Sequence, residues 1–102
     1  MKQMIIHLNQ NPTFGLFDAG PKTEMLIQSF RQGRFLQLPP VLCEHDGQDA
    51  AEEAFDLTNN PSRQSERMQR YGNGRSLSVG DIVEQDGRFF LCMSFGWQEF
   101  TK

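Results

Sequence analysis

The sequence contains little of what membrane, disulfide-rich or dedicated nucleic-acid-binding proteins need. Its 102 residues include two cysteines, one tryptophan and one tyrosine, and no apolar run approaches the roughly 20 residues of a membrane span. The opening segment, MKQMIIHLNQ, has too short an apolar stretch for a secretory signal. Lysine and arginine total 10 against 13 acidic residues, so a basic excess is missing too. We therefore expect a cytoplasmic protein without membrane association.

Motifs for metal binding and catalysis are also missing. Cys43 and Cys92 lie far apart without CxxC spacing, so we expect two buried, reduced thiols and no metal or cofactor. His7 and His45 have no serine or cysteine that the sequence places beside them. The chain has no GxSxG elbow and no phosphate-binding loop. These absences predict a protein without enzymatic activity.

The length and the aromatic content suit a single domain spanning residues 1–102. Nine phenylalanines supply ring area for a core, and one core serves a chain of this size. Residues 3–9, QMIIHLN, predict a strand. Residues 24–31 and 34–38 fit a helical or a strand period, and we favour two strands, ended by Pro39–Pro40.

The middle of the chain predicts two consecutive helices. The first lies in DGQDAAEEAFDLTNNP, with Asp49 as its N-cap, acidic side chains in its first turn (Glu52 and Glu53), an apolar stripe, and Pro61 as its stop. The second begins near Pro61 or Ser62, capped by Asn60 or Ser62. It ends at GNG, where glycine tolerates the left-handed backbone of a helix exit.

The last quarter predicts a β hairpin. Apolar residues flank Asp86–Gly87, and this dipeptide between apolar runs is the strongest short hairpin signal. Gly80–Asp81 predicts a bulge or a tight turn, and Gly96 a further bend. The expected fold class is α+β: a small antiparallel sheet from both chain ends, with the two middle helices packed on one face.

Charged residues are distributed unevenly along the predicted helices and strands. Residues 44–56 hold six acidic residues and no lysine or arginine, whereas residues 61–76 hold four arginines opposed only by Glu66. On a helix, Arg63, Arg67 and Arg70 project from one face. These arginines could pair with the acidic helix or stay hydrated, bind an acidic protein partner, or contact nucleic-acid phosphates. The acidic run could instead imitate nucleic acid at another protein's binding site.

We expect partner binding, if it occurs, to involve the arginine face and two adjoining features. Trp97, the only tryptophan, is either a core residue or, beside the arginines, part of an interface hot spot. Two asparagines lie at the predicted helix junction, where side-chain amides commonly hydrogen-bond to unpaired backbone carbonyls or cap the next helix. The candidate partner-binding residues are Asn59, Asn60, Arg63, Arg67, Arg70, Arg75 and Trp97.

Four features of the second half of the chain point to a family. They are a helix ending F-x-L-T-N, the segment RSLSVGDIV, the DG turn, and a terminal strand with C-x-x-x-G-W. From about residue 50, the chain resembles the YodL-like domain proteins, small accessory proteins of plasmids, integrative elements and phages. The resemblance implies a small α+β domain of mobile-element origin, and it transfers no catalytic residues.

The candidate binding residues and the resemblance to YodL-like domains together predict a non-enzymatic protein-interaction module of a mobile genetic element. Such a module would modulate a host or element-encoded complex, for example in host defence. The alternative is a nucleic-acid-binding accessory factor that uses the face formed by Arg63, Arg67 and Arg70.

Overall fold

A computed structural model describes residues 2–9, 21–71, 76–93 and 96–101. Within these ranges, no helix is long and apolar enough to cross a membrane. The elements are β1 (Lys2–Asn9), α1 (Pro21–Arg31), β2 (Phe35–Gln37), β3 (Val41–Cys43), α2 (Gln48–Asn59), a 3₁₀ turn (Pro61–Arg63), α3 (Gln64–Tyr71), β4 (Ile82–Gln85), β5 (Arg88–Cys92) and β6 (Trp97–Phe100). The predicted α+β class is confirmed.

The sheet is antiparallel and built from both ends of the chain. Its order is β2-β1-β4-β5-β6, and β3 also pairs with β1. The short strands β2 and β3 divide one edge of β1 between them, since β2 pairs with residues 7–9 and β3 with residues 2–4. The strand predicted at residues 3–9 is therefore confirmed as a central strand, and the strand predicted at 34–38 corresponds to β2.

The β4–β5 hairpin forms at the predicted turn. Asp86 and Gly87 both have positive φ angles, of 56° and 79°, as a two-residue turn matched to the strand twist requires. Upstream, the Asp81 backbone N–H bonds to the Ser78 carbonyl at 3.0 Å, which makes the Gly80–Asp81 feature a tight turn. The Asp81 carboxylate is fully buried and accepts the backbone N–H of Asn9, so it also ties this turn to β1.

Helices cover both faces of the sheet because strand residues alternate between two apolar clusters. On one face, β4 and β5 contribute Val83 and Phe90 to a core that includes the buried alanines of α2. On the other face, Ile82 and its neighbours Phe89 and Leu91 pack with α1. The small alanine side chains allow α2 to lie close to the sheet.

The strand expected at residues 24–31 is wrong, since this segment is helix α1. Its buried residues Leu26, Ile27 and Phe30 recur at helical spacing and meet the phenylalanines of β5 and β6. Gly33, at φ 76°, ends the helix with a backbone bond to Phe30. The apolar positions alone fitted both periods, and contact with the second sheet face selects the helix.

The N-terminal boundary of α2 also differs from the expectation. The helix begins at Gln48, and its N-cap is Gly47, without a side-chain capping bond. Asp49 therefore lies in the first turn, and Glu52 and Glu53 lie beyond it. The Gly47 N–H is instead bound by the buried Gln85 side chain of β4 at 2.9 Å, which holds the helix start against the sheet.

The junction between α2 and α3 follows the sequence expectation. α2 ends at Asn59, and the Asn60 side chain accepts the Ser62 backbone N–H at 3.0 Å, with Pro61 as the first residue of the 3₁₀ turn. The GNG exit, residues 72–74, lies outside the described residues. Both cysteines are buried free thiols, as expected.

Candidate functional site

Acidic residues bind some arginines of the predicted face, and they bind Arg63 most completely. Arg63 donates five hydrogen bonds to Glu53, Asp56 and Glu66, at 2.8–3.1 Å. A guanidinium has five N–H donors in all, so the donors of Arg63 are fully used. Of the alternatives stated for the arginines, Arg63 therefore follows the pairing with the acidic helix, because helix α2 presents two carboxylates at the start of the next helix.

The pKa shifts agree with this arrangement. The hydrogen bonds from Arg63 hold the pKa of Glu53 below its ordinary value, and they do the same for Asp56. In return, the carboxylates of Glu53 and Asp56 raise the pKa of Arg63 further above its already high value. All of these groups are charged at neutral pH, so the cluster joins α2 to α3 by charge-assisted bonds.

Arg70 is also engaged, but less completely. Its Nε lies 3.3 Å from Oε2 of Glu66, and its Nη1 donates to the Leu42 carbonyl of β3 at 3.3 Å. Arg70 and Glu66 remain partly exposed, at 40% and 37% of their side-chain surface. Exposed pairs of this kind contribute about 0–1 kcal/mol, so Arg70 could exchange its present contacts for others.

Arg67 differs from its two neighbours. It makes no ion pair or hydrogen bond within the described part of the chain, and its Nε is buried without an acceptor. One turn later, the Tyr71 hydroxyl is likewise buried without a partner. Burial raises the pKa of this hydroxyl, so it stays protonated and can donate. Two unused donors therefore lie at i and i+4 on one side of α3.

Two further residues complete this side of the helix. Gln64 and Met68 occupy the remaining positions of the i, i+3, i+4, i+7 pattern, and both are exposed, with Met68 at 46%. We call Gln64, Arg67, Met68 and Tyr71 the α3 stripe. It combines an apolar side chain with two donors that lack acceptors, whereas Arg63 faces the carboxylates of α2.

The two candidate asparagines have structural roles. Asn59 Nδ2 donates to the Phe55 and Leu77 carbonyls at 3.0 and 2.9 Å, which connects the end of α2 to the segment before β4. Asn60 caps the following 3₁₀ turn, and its Nδ2 also reaches Asp56. Arg75, the last arginine of the candidate set, lies outside the described residues.

Trp97 lies beside α2 and is partly buried against the core. Its indole N–H donates to Glu52 Oε1 at 2.8 Å, and its ring meets Phe55 edge to face at 6.5 Å between centroids. Arg63 binds Glu53 and Asp56 instead. Of the two alternatives for Trp97, the structure therefore shows the residue packed against the core, and no contact joins it to Arg63 in the described residues.

Sequence reasoning missed a part-buried polar pair on the sheet face that α1 covers. His7 Nε2 lies 2.8 Å from Glu84 Oε1, and the imidazole ring meets Phe30 edge to face at 4.9 Å. The two residues are 77 positions apart, and only the β1–β4 register brings them together. No local signal in the sequence could have indicated the pair.

Metal coordination has no support in the described ranges. Within residues 2–9, 21–71, 76–93 and 96–101, no three histidine, cysteine, aspartate or glutamate side chains are grouped so that they could hold a metal ion. Comparisons of the chain with protein-family models, characterised proteins and solved structures return no significant match. The resemblance to YodL-like domains stays a prediction from the sequence.

Proposed function

We propose that the protein is a non-enzymatic interaction module whose α3 stripe binds an acidic segment of a protein partner. The observation that supports this most is the pair of buried donors without acceptors, Arg67 Nε and Tyr71 Oη. Leaving a buried polar group unsatisfied costs about 1–3 kcal/mol. Because both atoms are buried, a partner's carboxylate reaches them after the Arg67 side chain turns outward, and it then satisfies one or both donors and removes that cost in the complex.

The chemistry of the stripe favours a protein carboxylate as the occupant. A guanidinium can bind a carboxylate through two parallel hydrogen bonds, and Arg67 has no competing acid in the described residues. Exposed Met68 provides an adaptable apolar contact beside the charge. An acidic segment that also carries an apolar side chain would use both features.

A phosphate group could in principle use the same donors, which is the nucleic-acid alternative. The net charge of −3 and the three carboxylates around Arg63 repel a polyanion. A short acidic segment needs only the stripe and places fewer charges near these carboxylates. We therefore favour the protein partner, and the resemblance to YodL-like domains supports a place for this module in a host or element-encoded complex of a mobile genetic element.

Site-specific crosslinking tests the proposal. A photoreactive amino acid in place of Met68 is expected to crosslink a partner peptide rich in aspartate or glutamate. Arg67→Gln, which keeps a polar side chain but removes the charge, should reduce the crosslink strongly. Arg34→Gln removes an exposed charge outside the stripe and should leave the crosslink unchanged.

Two results would contradict the proposal. One is a crosslink that survives Arg67→Gln unchanged, because the partner would then not use this guanidinium. The other is a low-salt shift of labelled duplex DNA that falls steeply with salt and is lost in Arg67→Gln. That result would assign the stripe to nucleic acid.

A further inference from the structure

A second surface lies along the side of α2 that contacts β6. Phe55 is the exposed aromatic residue of α2, with 38% of its surface accessible, although it adjoins the buried stripe of the helix. Its ring meets Trp97 with an angle of 88° between the planes. This pair presents aromatic surface at the boundary between helix and sheet. We call Asp49, Glu52, Phe55 and Trp97 the aromatic–acidic surface.

The Glu52 carboxylate holds the indole in place and is not paired with a cation of the described residues. Oε1 accepts the Trp97 N–H, and Glu52 forms no ion pair in the described residues. Asp49 lies three positions earlier on the same exposed side of the helix and is likewise without an ion pair there. The two carboxylates therefore leave negative charge uncompensated beside the aromatic pair.

The other acidic residues of α2 are paired. Glu53 and Asp56, which lie further along the helix, are both bound by Arg63. Nearby on β5, Arg88 is bound to Glu99 of β6 at 2.8 Å, so it does not compensate Glu52 or Asp49. The uncompensated acids of α2 thus coincide with its exposed aromatic residue.

We propose that the aromatic–acidic surface binds an arginine-containing basic segment of a protein partner. A guanidinium can stack on an aromatic ring while it donates hydrogen bonds to a carboxylate, and this combination discriminates it from a neutral side chain. The negative charge of the carboxylates favours a cationic side chain, and stacking on the aromatic pair favours a planar cation such as a guanidinium. The aromatic–acidic surface is separate from the α3 stripe and carries the opposite charge. An experiment that contradicts one of the two proposals therefore leaves the other standing.

Trp97 provides a direct probe, since the protein has one tryptophan. The full chain is titrated with a short peptide in which arginine alternates with glycine and serine, and with the same peptide carrying glutamine instead of arginine. The expected result is a saturable change in tryptophan emission with the arginine peptide alone. No saturable change, or an equal change with the glutamine peptide, would overturn the proposal.

Variants show which residues are responsible for the peptide-induced change in tryptophan emission. Glu52→Gln keeps an acceptor for the Trp97 N–H but removes the charge, and with Asp49→Asn it should weaken binding about three- to tenfold. Phe55→Ala should weaken it by about threefold. Glu24→Gln, an exposed change on α1 across the sheet, is the matched control and should bind as the wild type does.

Two outcomes of the variant series would overturn the proposal. One is equal weakening by Glu24→Gln and Glu52→Gln, which would mean unspecific attraction to net negative charge. The other is a dimer that Phe55→Ala dissociates in sedimentation experiments, which would make a second copy of the chain the occupant. Near-ultraviolet circular dichroism checks that each variant is folded.

Discussion

Arg63 Nη2 lies 2.8 Å from Glu53 Oε2 and joins the start of the second middle helix to the side of the first. This contact separates residues that look equivalent in the sequence. Arg63 and Arg67 are four positions apart on a basic segment, but of the two only Arg63 pairs with carboxylates of the described residues. It is therefore a structural residue, whereas Arg67 is available for a partner.

Removing the Arg63 guanidinium should destabilise the fold. We expect Arg63→Ala to lower the free energy of unfolding by about 1–3 kcal/mol, because charge-assisted bonds are lost and Glu53 is left partly buried without its cation. Urea unfolding followed by circular dichroism measures the change. Arg34→Ala, which removes an exposed arginine without such bonds, should change stability little. Equal stability of the two variants would show that the cluster contributes nothing.

The same cluster predicts a dependence of stability on pH. The pKa of Glu53 in the folded protein is below its ordinary value of 4.5. A carboxyl group with a lowered folded pKa stabilises the fold above its unfolded pKa, and this contribution is lost as the pH falls through the folded pKa. The wild type should therefore lose more stability than Arg63→Gln when the pH falls from about 5 to about 3. Parallel stability curves for the two proteins would be inconsistent with the ion pair.

Tyr71→Phe should separate binding from stability. The mutation removes a buried hydroxyl without a hydrogen-bond partner, so the free energy of unfolding should stay unchanged or rise by up to about 1 kcal/mol. The crosslink to an acidic partner should weaken at the same time. Tyr71→Ala, which also loses the ring packed against the core, should instead destabilise the protein. A clear loss of stability in Tyr71→Phe would mean that the hydroxyl has a partner in solution.

The two thiols should be protected until the protein unfolds. Burial, with a smaller effect of the Asp81 charge, raises the pKa of the Cys92 thiol to about 12, and Cys43 is also buried. Since the thiolate is the reactive form, an aromatic disulfide reagent should react slowly at neutral pH. Both thiols should react once urea unfolds the chain. Rapid reaction of one thiol in the folded protein would contradict the described packing.

The parts of the fold with strong local signals could be predicted from the sequence. Asp86–Gly87 specifies its turn by itself, and Asn60 with Pro61 specifies the start of a helix, so the β4–β5 hairpin and the α2–α3 junction formed where expected. Residues 24–31 carry no such signal. Their apolar positions fit two periods, and the choice of helix depends on phenylalanines more than 50 residues away along the chain.

The candidate site was less predictable because its properties depend on distant partners. The spacing of Arg63, Arg67 and Arg70 places them on neighbouring turns, but it cannot show which of them meets a carboxylate. Trp97 is the clearest example, since its contacts with Glu52 and Phe55 depend on how the last strand is positioned relative to α2. The sequence identifies the residue types of the candidate site. Only the packing of the folded chain shows which of their hydrogen-bond donors have acceptors and which have none.

An NMR titration of the arginine side-chain Nε–H resonances tests directly whether Arg67 binds an acidic partner. The probe is a short peptide in which aspartate alternates with leucine. We expect a saturable shift of the Arg67 Nε–H resonance, with the Arg63 resonance unchanged because its donors already bind carboxylates. A shift of the Arg63 resonance without Arg67, or no shift of either, would show that Arg67 is not the binding residue.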